Sequence, residues 1–460
     1  MRSPRVTVYV TCRNYGKYLR ECLNSVVSQA FTDWELIVFN EASTDDTGNI
    51  LAEYAAILGS KMSVRTNQAA MGLRWCANHA LDMGRGEFIM RLDADDYLDE
   101  SALLVMVAYL DSHREVGLVF PNWTFVGESG EFLGIERRKA IGRETHALDL
   151  PAHGACTMVR MRVLKTIGGY DPEFSAQDGH ELWMKALHRF KVANIQTPLF
   201  FYRQHSNSMS RDEELLLSAR RKIKRALIDQ RQGATRPKIL GVIPAKNTYA
   251  RMQNVVLRPL GQVPLLAHSL NAALDSGVFD RIVVSTDDEE VIGYCQSRTG
   301  VDVMLRKPEL SGGRVKLSEV VFDCVSRFEF EGNWYPDIVV ILSVHTPLRR
   351  DSHIREVVDT LLIYDVDQVI STYEDMDLHF KHGMNGLETI NPGVLESLRY
   401  EREALYVYNG AVHGFWREFL RKDSLYHGRI GHIQMSRRES IQIKSDEDFE
   451  LVGRLLERTL

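Results

Sequence analysis

Short apolar runs and helical patterns alternate along the first half of the chain. The runs at residues 6–10, 35–39 and 87–92 have the apolar character of buried strands. Between them, apolar residues recur at helical spacing over 18–27 and 49–58. Because strands and helices alternate, we predict a mostly parallel sheet with helices on both faces.

The second half repeats this rhythm. Strand-like runs occupy residues 239–243, 281–285 and 337–342, and helical patterns occupy 265–276 and 289–297. A chain of 460 residues is too long for a single core, so at least two domains are expected. The fold class predicted is α/β, with two Rossmann-like domains.

A polar stretch with Gly and Pro separates the two halves at residues 230–237. Such composition is typical of an interdomain linker. We therefore predict a first domain at 1–232, a linker at 233–237 and a second domain at 238–460.

Composition and charge exclude several classes of protein. Hydrophobic residues make up 44% and charged residues 26%, as in ordinary globular proteins, and the net charge of -6 gives no case for nucleic-acid binding. The six cysteines form no C-x-x-C pair, which favours reduced thiols in a cytoplasmic protein. No apolar run approaches the roughly 18 residues of a membrane span.

The candidate chemistry begins where the strand at 87–92 ends. Asp93, Asp95 and Asp96 follow that strand directly. Open α/β sheets bind ligands at the carboxyl ends of their strands, and hard divalent cations prefer oxygen ligands that they share with phosphates. The pattern predicts an enzyme that handles a metal-bound nucleotide diphosphate, with Mg²⁺ or Mn²⁺ as cofactor. A turn that only caps the helix expected from Ser101 is the alternative.

Three segments in order carry a resemblance to a known family. Residues 8–14, 33–47 and 86–96 resemble the corresponding motifs of family 2 glycosyltransferases with the GT-A fold, and the resemblance covers about 4–210. It implies an inverting enzyme that moves a sugar from a nucleotide-diphosphate sugar to a glycan or glycoconjugate acceptor. Polysaccharide biosynthesis is the expected setting.

The resemblance also implies roles for residues around the nucleotide. Thr11 and Arg13 would border the base and the ribose. Asn40 and Glu41 stand where the family has paired acids, and Glu41 can still accept a base N–H; Ala42 replaces the family's Gly. An ordinary turn before the next helix is the alternative for this segment.

Further implied contacts concern the diphosphate. Asp93 would touch the ribose or the metal, and Asp95 would bind the metal. In the segment 201–210, which resembles the family's closing motif, Arg203 would pair with phosphate and His205 would bind the metal or a phosphate. A structural role for His205 remains open.

The catalytic base implied by the resemblance is Asp178, in the segment 168–183. A carboxylate there can take the proton of an acceptor hydroxyl as it attacks the anomeric carbon. His180 and Glu181 are local competitors, and Glu181 is better explained as a first-turn helix acid. His153 is a further candidate on the acceptor side.

The second half resembles another family, the cytidylyltransferases that activate acidic sugars of the acylneuraminate and 3-deoxy-manno-octulosonate type. The segments that carry this resemblance are 243–246, 257–266, 279–290, 346–349, 408–411 and 446–451. The family often dimerises, so a homodimer through this domain is one expected arrangement.

The active-site positions of that family are only partly kept. Lys246 and Arg251 retain two cationic positions for a nucleotide, but Val255 replaces a usual Lys. Gln442 and Lys444 stand where the family has two Mg²⁺-binding carboxylates. An amide binds a cation poorly and an ammonium repels it. We therefore expect this domain to keep the fold and to have lost CTP-dependent activity.

Two other interpretations remain open at this point. In one, the protein is bifunctional and also makes a CMP-activated acidic sugar. In the other, both domains are non-catalytic scaffolds that bind nucleotide sugars.

Overall fold

The computed structural model describes residues 3–136, 141, 154–174, 177–187, 189–205, 213–229, 236–246, 248–249, 252–364, 366–384, 386–390 and 404–457. The chain forms two compact units. The first consists of Met1–Ile223 with Leu378–Glu403, and the second of Lys224–Asp377 with Ala404–Leu460.

Twenty-two strands and twelve α-helices are present in the described part of the chain. The strands are β1 (Val6–Cys12), β2 (Trp34–Glu41), β3 (Met62–Asn67), β4 (Phe88–Asp93), β5 (Tyr97–Leu98), β6 (Val116–Val126), β7 (Phe132–Glu136), β8 (Met158–Arg160), β9 (Lys191–Arg203), β10 (Ile239–Pro244), β11 (Thr248–Tyr249), β12 (Met252–Gln253), β13 (Pro259–Leu260), β14 (Val263–Pro264), β15 (Arg281–Thr286), β16 (Asp302–Leu305), β17 (Ile338–Leu342), β18 (Gln368–Asp375), β19 (Phe380–Gly383), β20 (Gly386–Thr389), β21 (Leu405–Trp416) and β22 (Ile430–Gln434). The helices are α1 (Gly16–Val27), α2 (Thr47–Leu58), α3 (Leu73–Met83), α4 (Ala102–Ser112), α5 (Met161–Thr166), α6 (Asp178–Leu187), α7 (Glu213–Asp229), α8 (Leu265–Ser276), α9 (Glu289–Gln296), α10 (Leu317–Phe330), α11 (Asp351–Tyr364) and α12 (Asp446–Glu457).

A nine-stranded mixed sheet forms the centre of the first unit. Its strands lie in the order β3-β2-β1-β4-β8-β6-β9-β5, and β7 pairs with β6. The strands β1 to β4 are parallel to one another, whereas β8 runs antiparallel to both β4 and β6. The first four strands therefore end at one edge of the sheet.

The apolar pattern explains why these strands are central. All eight residues of β2 are buried, as is every residue of β4 except the last. Helix α1 covers one face with the buried side chains of Leu19, Cys22, Leu23 and Val26, the positions expected from the helical spacing.

The order of strands reverses direction between β1 and β4. Along the chain β2 and β3 are added on one side of β1, while β4 is added on the other side. At this reversal Thr11 lies in register with Phe39 on one neighbour and with Asp93 on the other. Ligands of open α/β sheets bind at the carboxyl edge beside such a reversal.

A seven-stranded sheet in the order β16-β15-β10-β17-β21-β18-β22 forms the centre of the second unit. Strand β10 lies between β15 and β17 and is parallel to both. Strand β21 runs antiparallel to β17 and β18. The carboxyl ends of β10 and β17 therefore open to the same edge.

The predicted α/β fold class with two units is confirmed. The division between the compact units falls at Ile223/Lys224. Of the predicted linker 233–237, residues 233–235 lie outside the described residues, and the proposed boundary stays a prediction. Within the described part of the chain, no helix combines the length and apolar character needed to cross a bilayer.

Candidate active site

Three carboxylates follow one another at the carboxyl end of β4. Asp93 closes the strand, and the backbone N–H of Asp96 donates to the Asp93 carbonyl at 3.1 Å, which forms a tight turn. Asp96 is buried, and its Oδ1 accepts the backbone N–H of Arg203 at 2.9 Å. The turn is therefore fixed to the end of β9, and Asp93 and Asp95 stand at the sheet edge.

A buried arginine connects the carboxylates that the sequence assigned to separate tasks. Arg91, on β4, is 6% exposed. Its Nε lies 2.9 Å from Asp93 Oδ1 and its Nη2 lies 3.2 Å from Asp93 Oδ2, while its Nη1 donates to Asp178 Oδ2. Asp178 is the first residue of α6. Asp93, predicted to contact the ribose or the metal, and Asp178, predicted to be the base, thus pair with the same guanidinium.

Sequence reasoning did not identify Arg91. The available signal was a single charged residue within the otherwise apolar run 88–92. A charge in a buried strand has to be paired, and the Asp-x-Asp motif directly after it offered the partner.

The carboxylate cluster carries a surplus of negative charge. Burial raises the pKa of Asp93 to about 6; the Arg91 charge opposes this shift, and the charges of Asp95 and Asp178 add to it. Burial, with the charges of Asp95 and Asp93, also raises the pKa of Asp96 well above its usual value. A cation placed among these groups would be stabilised.

The two predicted metal ligands lie side by side. His205 Nε2 is 2.8 Å from Asp95 Oδ2, and both side chains are mostly enclosed. The rings of Tyr15 and Tyr18 each have their centroid 5.7 Å from that of His205. Burial and the Asp95 charge raise the pKa of Tyr15 to about 12, so its phenol stays neutral at physiological pH.

A divalent cation is compatible with these donors. Among the described residues no group of three or more His, Cys, Asp or Glu side chains is arranged to hold a metal. In phosphate-handling sites, however, Mg²⁺ is commonly held by one or two carboxylates together with substrate phosphates. Asp95 supplies one such carboxylate, His205 adds an imidazole nitrogen beside it, and the surplus negative charge around Asp93 favours a cation.

Arg203 lies in the interior and not on the open edge. It is 2% exposed, and its Nε donates to the Asp95 carbonyl at 2.9 Å. Its Nη1 donates to the carbonyls of Gly127 and Glu128, and its Nη2 donates to Glu21. The guanidinium therefore supports the Asp-x-Asp turn, and its predicted contact with phosphate stays a prediction.

The loop after β1 is joined to the loop after β2. Asn14 has a left-handed backbone (φ 58°), and its Oδ1 accepts the N–H of Thr44 at 2.7 Å. The N–H of Asn14 donates to Ser43 Oγ at 3.0 Å. Thr11 lies at the sheet edge beside this junction, and Arg13 is exposed. Both remain candidates to border a nucleotide.

Glu41 organises a neighbouring loop. Its Oε2 accepts the backbone N–H groups of Met71 and Gly72, each at 2.7 Å, and its Oε1 accepts the side-chain N–H of Asn67. Glu41 is 5% exposed, so its predicted contact with a base would have to share these acceptors. The base contact stays a prediction.

The residue after Glu41 has a backbone conformation that favours glycine. Ala42 has φ 54°, in the left-handed region that costs an L-residue with a side chain about 1–2 kcal/mol. Asn40 Oδ1 accepts the N–H of Ser43 at 3.0 Å and so helps to hold the strained turn.

The candidates for the base differ in their surroundings. Glu181 is 1% exposed, forms ion pairs with Arg74 and Lys185, and accepts the backbone N–H of Asp171 at 2.7 Å. His180 is buried as well. Asp178 is 14% exposed. Glu181 therefore has a structural role, and Asp178 is the carboxylate at the open edge.

Gly154 packs directly against the Arg91–Asp178 pair. A Cβ on this residue would lie 2.6 Å from Asp178 Oδ2 and 2.8 Å from Arg91 Nη2. A larger residue would displace the pair, so glycine is required here by space. The nearby candidate His153 lies outside the described residues.

In the second unit, Gln442 and Lys444, which replace the expected carboxylates, differ in their surroundings. The Gln442 side chain donates to the Asn409 carbonyl, while Lys444 is exposed and its backbone N–H donates to Asp448 Oδ2 at 2.9 Å. Lys246 Nζ donates to the Ser311 carbonyl at 2.6 Å. Arg251 lies outside the described residues, so the predicted nucleotide contacts of Lys246 and Arg251 stay predictions.

Comparison with known families matches each unit to a different model. Residues 7–168 match the model described as glycosyl transferase family 2, and residues 240–449 match the model described as cytidylyltransferase. Both predicted resemblances are confirmed. The family 2 match includes β1, β2 and the Asp93–Asp95 turn, and the cytidylyltransferase match covers nearly all of the second sheet.

Individual relatives agree with this division. The N-acylneuraminate cytidylyltransferase of Streptococcus agalactiae serotype III (strain NEM316) is 28% identical over 235 residues, which cover 46% of this chain and 52% of the relative. The EpsE protein of Bacillus subtilis (strain 168), which is named as a glycosyltransferase, is 28% identical over 213 residues, covering 45% of this chain and 76% of EpsE. The chain thus spans about half the length of its cytidylyltransferase relatives.

A solved structure similar to this chain is Staphylococcus aureus TarS, residues 1–349, in complex with UDP-GlcNAc. It is 20% identical, covers 49% of this chain and 66% of the TarS chain, and has a TM-score of 0.42. A likeness at this level does not support a shared ligand.

Proposed function

We propose that the first unit is a metal-dependent, inverting glycosyltransferase. It transfers a sugar from a nucleotide-diphosphate sugar to a hydroxyl of a glycan or glycoconjugate. The observation that carries this proposal is the joining of Asp93 and Asp178 through Arg91 at the carboxyl edge of a family 2 glycosyltransferase domain. Asp95 and His205 lie at the same turn.

Each side chain has a task in this reaction. Asp95 and His205 would hold a Mg²⁺ or Mn²⁺ ion, which when bound would supply positive charge to a departing diphosphate. Asp93 lies beside Thr11 at the strand reversal, where it would contact the ribose or the metal. Arg203 stabilises the turn through its hydrogen bond to the Asp95 carbonyl.

Asp178 acts as the general base. Arg91 occupies its Oδ2, and no described residue donates a hydrogen bond to its Oδ1. Oδ1 takes the proton of the acceptor hydroxyl while the hydroxyl oxygen forms a bond to the anomeric carbon. The bond from that carbon to the diphosphate oxygen breaks, and its electron pair leaves with the nucleotide. A single displacement of this kind inverts the anomeric configuration.

The donor can be identified by a thermal-shift panel of UDP-, GDP- and CMP-sugars with and without Mn²⁺. A ligand at about 100 times its dissociation constant stabilises a protein by about 2.7 kcal/mol. We expect one nucleotide to raise the unfolding temperature of the wild type in a Mn²⁺-dependent way, and Asp95→Ala to lose that dependence. Equal shifts with and without Mn²⁺ would contradict metal dependence.

For the second unit we propose a cytidylyltransferase fold without cytidylyl transfer. Transfer of a nucleotide from CTP requires a metal on the triphosphate. Gln442 and Lys444 replace the two carboxylates that the family resemblance places there, and the Gln442 amide is already bonded to the Asn409 carbonyl. Incubation with CTP, an acylneuraminate and Mg²⁺ should release no pyrophosphate. Steady release would instead show that the protein is bifunctional.

A further inference from the structure

A cleft of about 820 Å³ opens on the first unit at the edge of the sheet opposite Asp93. It is lined by Arg5, Glu87, Leu110, Asp111, Arg114, Arg160, Met161 and Arg162. Glu87 directly precedes β4, and Arg160 lies in register with Phe88, the first residue of that strand. Asp93 lies five positions along β4 from Phe88, so the cleft lies about 16 Å from the candidate active site.

The cleft is positively charged although the chain is not. Four arginines and two acids line it, a balance of +2, whereas the whole chain carries -6. Both acids pair with Arg5, whose Nε lies 3.0 Å from Glu87 and whose Nη2 lies 2.7 Å from Asp111, and Glu87 Oε1 also lies 3.6 Å from Arg160 Nη1. The acids therefore offset Arg5 and Arg160, and among the described residues neither acid forms an ion pair with Arg114 or Arg162.

Arg160 forms a fixed wall of the cleft. It is 6% exposed; its Nε donates to the Val116 carbonyl at 2.8 Å and its Nη2 donates to the Leu110 carbonyl at 2.6 Å. Its guanidinium also lies over the Phe88 ring, 5.4 Å from the centroid. Burial lowers the pKa of Arg160, and the nearby charge of Arg162 acts in the same direction.

Arg114 and Arg162 are exposed at the mouth of the cleft. Guanidinium groups bind phosphate oxygens through two parallel N–H donors, and such charge-assisted bonds are stronger than neutral ones. We propose that this cleft is a binding site for a phosphoryl group, with Arg114 and Arg162 as its ligands and Arg160 as its fixed wall. This site is separate from the proposed transferase centre, because none of its residues takes part in that reaction.

The proposal can be tested by calorimetric titration of inorganic phosphate and of pyrophosphate into the full chain. We expect saturable binding that weakens as salt is added, because exposed charges are screened. The double substitution Arg114→Gln with Arg162→Gln should raise the dissociation constant at least tenfold. Lys165→Gln is the matched control. Lys165 is an exposed cation on α5, the helix that carries Arg162, but it does not line the cleft.

Two results would overturn the proposal: no saturable binding of either anion by the wild type, or unchanged affinity in the double variant. Thermal unfolding of the double variant shows whether it is folded, and two exposed side chains should be replaced with little loss of stability. Asp95→Ala should bind phosphate at the cleft as the wild type does, so a failure here is distinguishable from a failure of the proposed transferase.

Whether the phosphoryl group belongs to a lipid or to a soluble molecule can be determined by sedimenting the protein with phosphatidylcholine vesicles, with and without phosphatidylglycerol. Sedimentation with phosphatidylglycerol that is lost in the double variant assigns the site to a lipid headgroup. Phosphate binding without sedimentation assigns it to a soluble phosphate.

Discussion

Replacement of Arg91 by Met should destabilise the first unit strongly. Methionine keeps an apolar stem on β4 but removes the charge between Asp93 and Asp178. Removing one partner of a buried ion pair costs about 3–5 kcal/mol. Asp93 is 25% and Asp178 is 14% exposed, so water can solvate part of the uncompensated charge. We therefore expect the free energy of unfolding to fall by about 3 kcal/mol, the lower end of this range.

This loss can be measured as a shift of the unfolding transition of the first unit. For a domain of this size, about 2–4 °C of unfolding temperature corresponds to 1 kcal/mol, which gives a shift of roughly 6–12 °C. Arg20→Met is the control, because Arg20 and Glu53 form an ion pair at 2.8 Å with both side chains about half exposed. Exposed pairs contribute less than about 1 kcal/mol.

We also expect energetic coupling between Arg91 and Asp178. Once Arg91 is absent, Asp178→Asn removes an uncompensated charge, so the double variant should be more stable than the sum of the single effects predicts. If Arg91→Met unfolds within about 1 °C of the wild type, a shift below what 1 kcal/mol produces, then Arg91 does not compensate these carboxylates.

Three further predictions concern single residues. Ala42→Gly should stabilise the first unit by about 1 kcal/mol, because glycine adopts the left-handed backbone at φ 54° without a side-chain clash. Gly154→Ala should reduce sugar transfer at least tenfold, because its Cβ would displace Asp178. Burial lowers the pKa of His413 to about 4, so the second unit should lose stability as pH falls from about 6.5 towards 4, and His413→Phe should flatten that profile.

Each of these predictions has an outcome that contradicts it. A less stable Ala42→Gly variant in urea unfolding would mean that the turn is not strained. Full activity of Gly154→Ala would show that the pair has room to move. For His413 the sign follows from linkage: the unfolded histidine binds a proton below about pH 6.5 and the folded one only near pH 4. Parallel pH profiles of the wild type and His413→Phe would therefore refute the assignment.

Much of the fold follows from local patterns in the sequence. The apolar run at 87–92 predicted β4, and the carboxylates after it lie at the sheet edge as expected, because the carboxyl ends of parallel strands meet at one edge. The helix predicted at 265–276 matches α8. These features are determined by residues close together in the sequence, so they can be predicted from local patterns.

The parts that the sequence did not reveal depend on contacts between distant segments. Arg91 and Asp178 are 87 residues apart, and their pairing requires α6 to begin beside β4. Arg203 resembled a phosphate ligand by its motif, yet its guanidinium is enclosed by carbonyl groups of other loops. Local patterns place a residue on an element but do not show which neighbours satisfy its hydrogen bonds.

The central claim is that Asp95 and Asp178 perform sugar transfer at the edge of the first sheet. The most direct measurement compares transfer, with the donor found in the nucleotide-sugar panel and with Mn²⁺, among the wild type, Asp95→Ala, Asp178→Asn and the control Asp46→Asn. Asp46 is an exposed acid before α2. A general base contributes about 10²–10⁴-fold, so Asp178→Asn should lose at least 100-fold and Asp46→Asn almost nothing. Transfer at the wild-type rate by folded Asp95→Ala and Asp178→Asn would contradict the account.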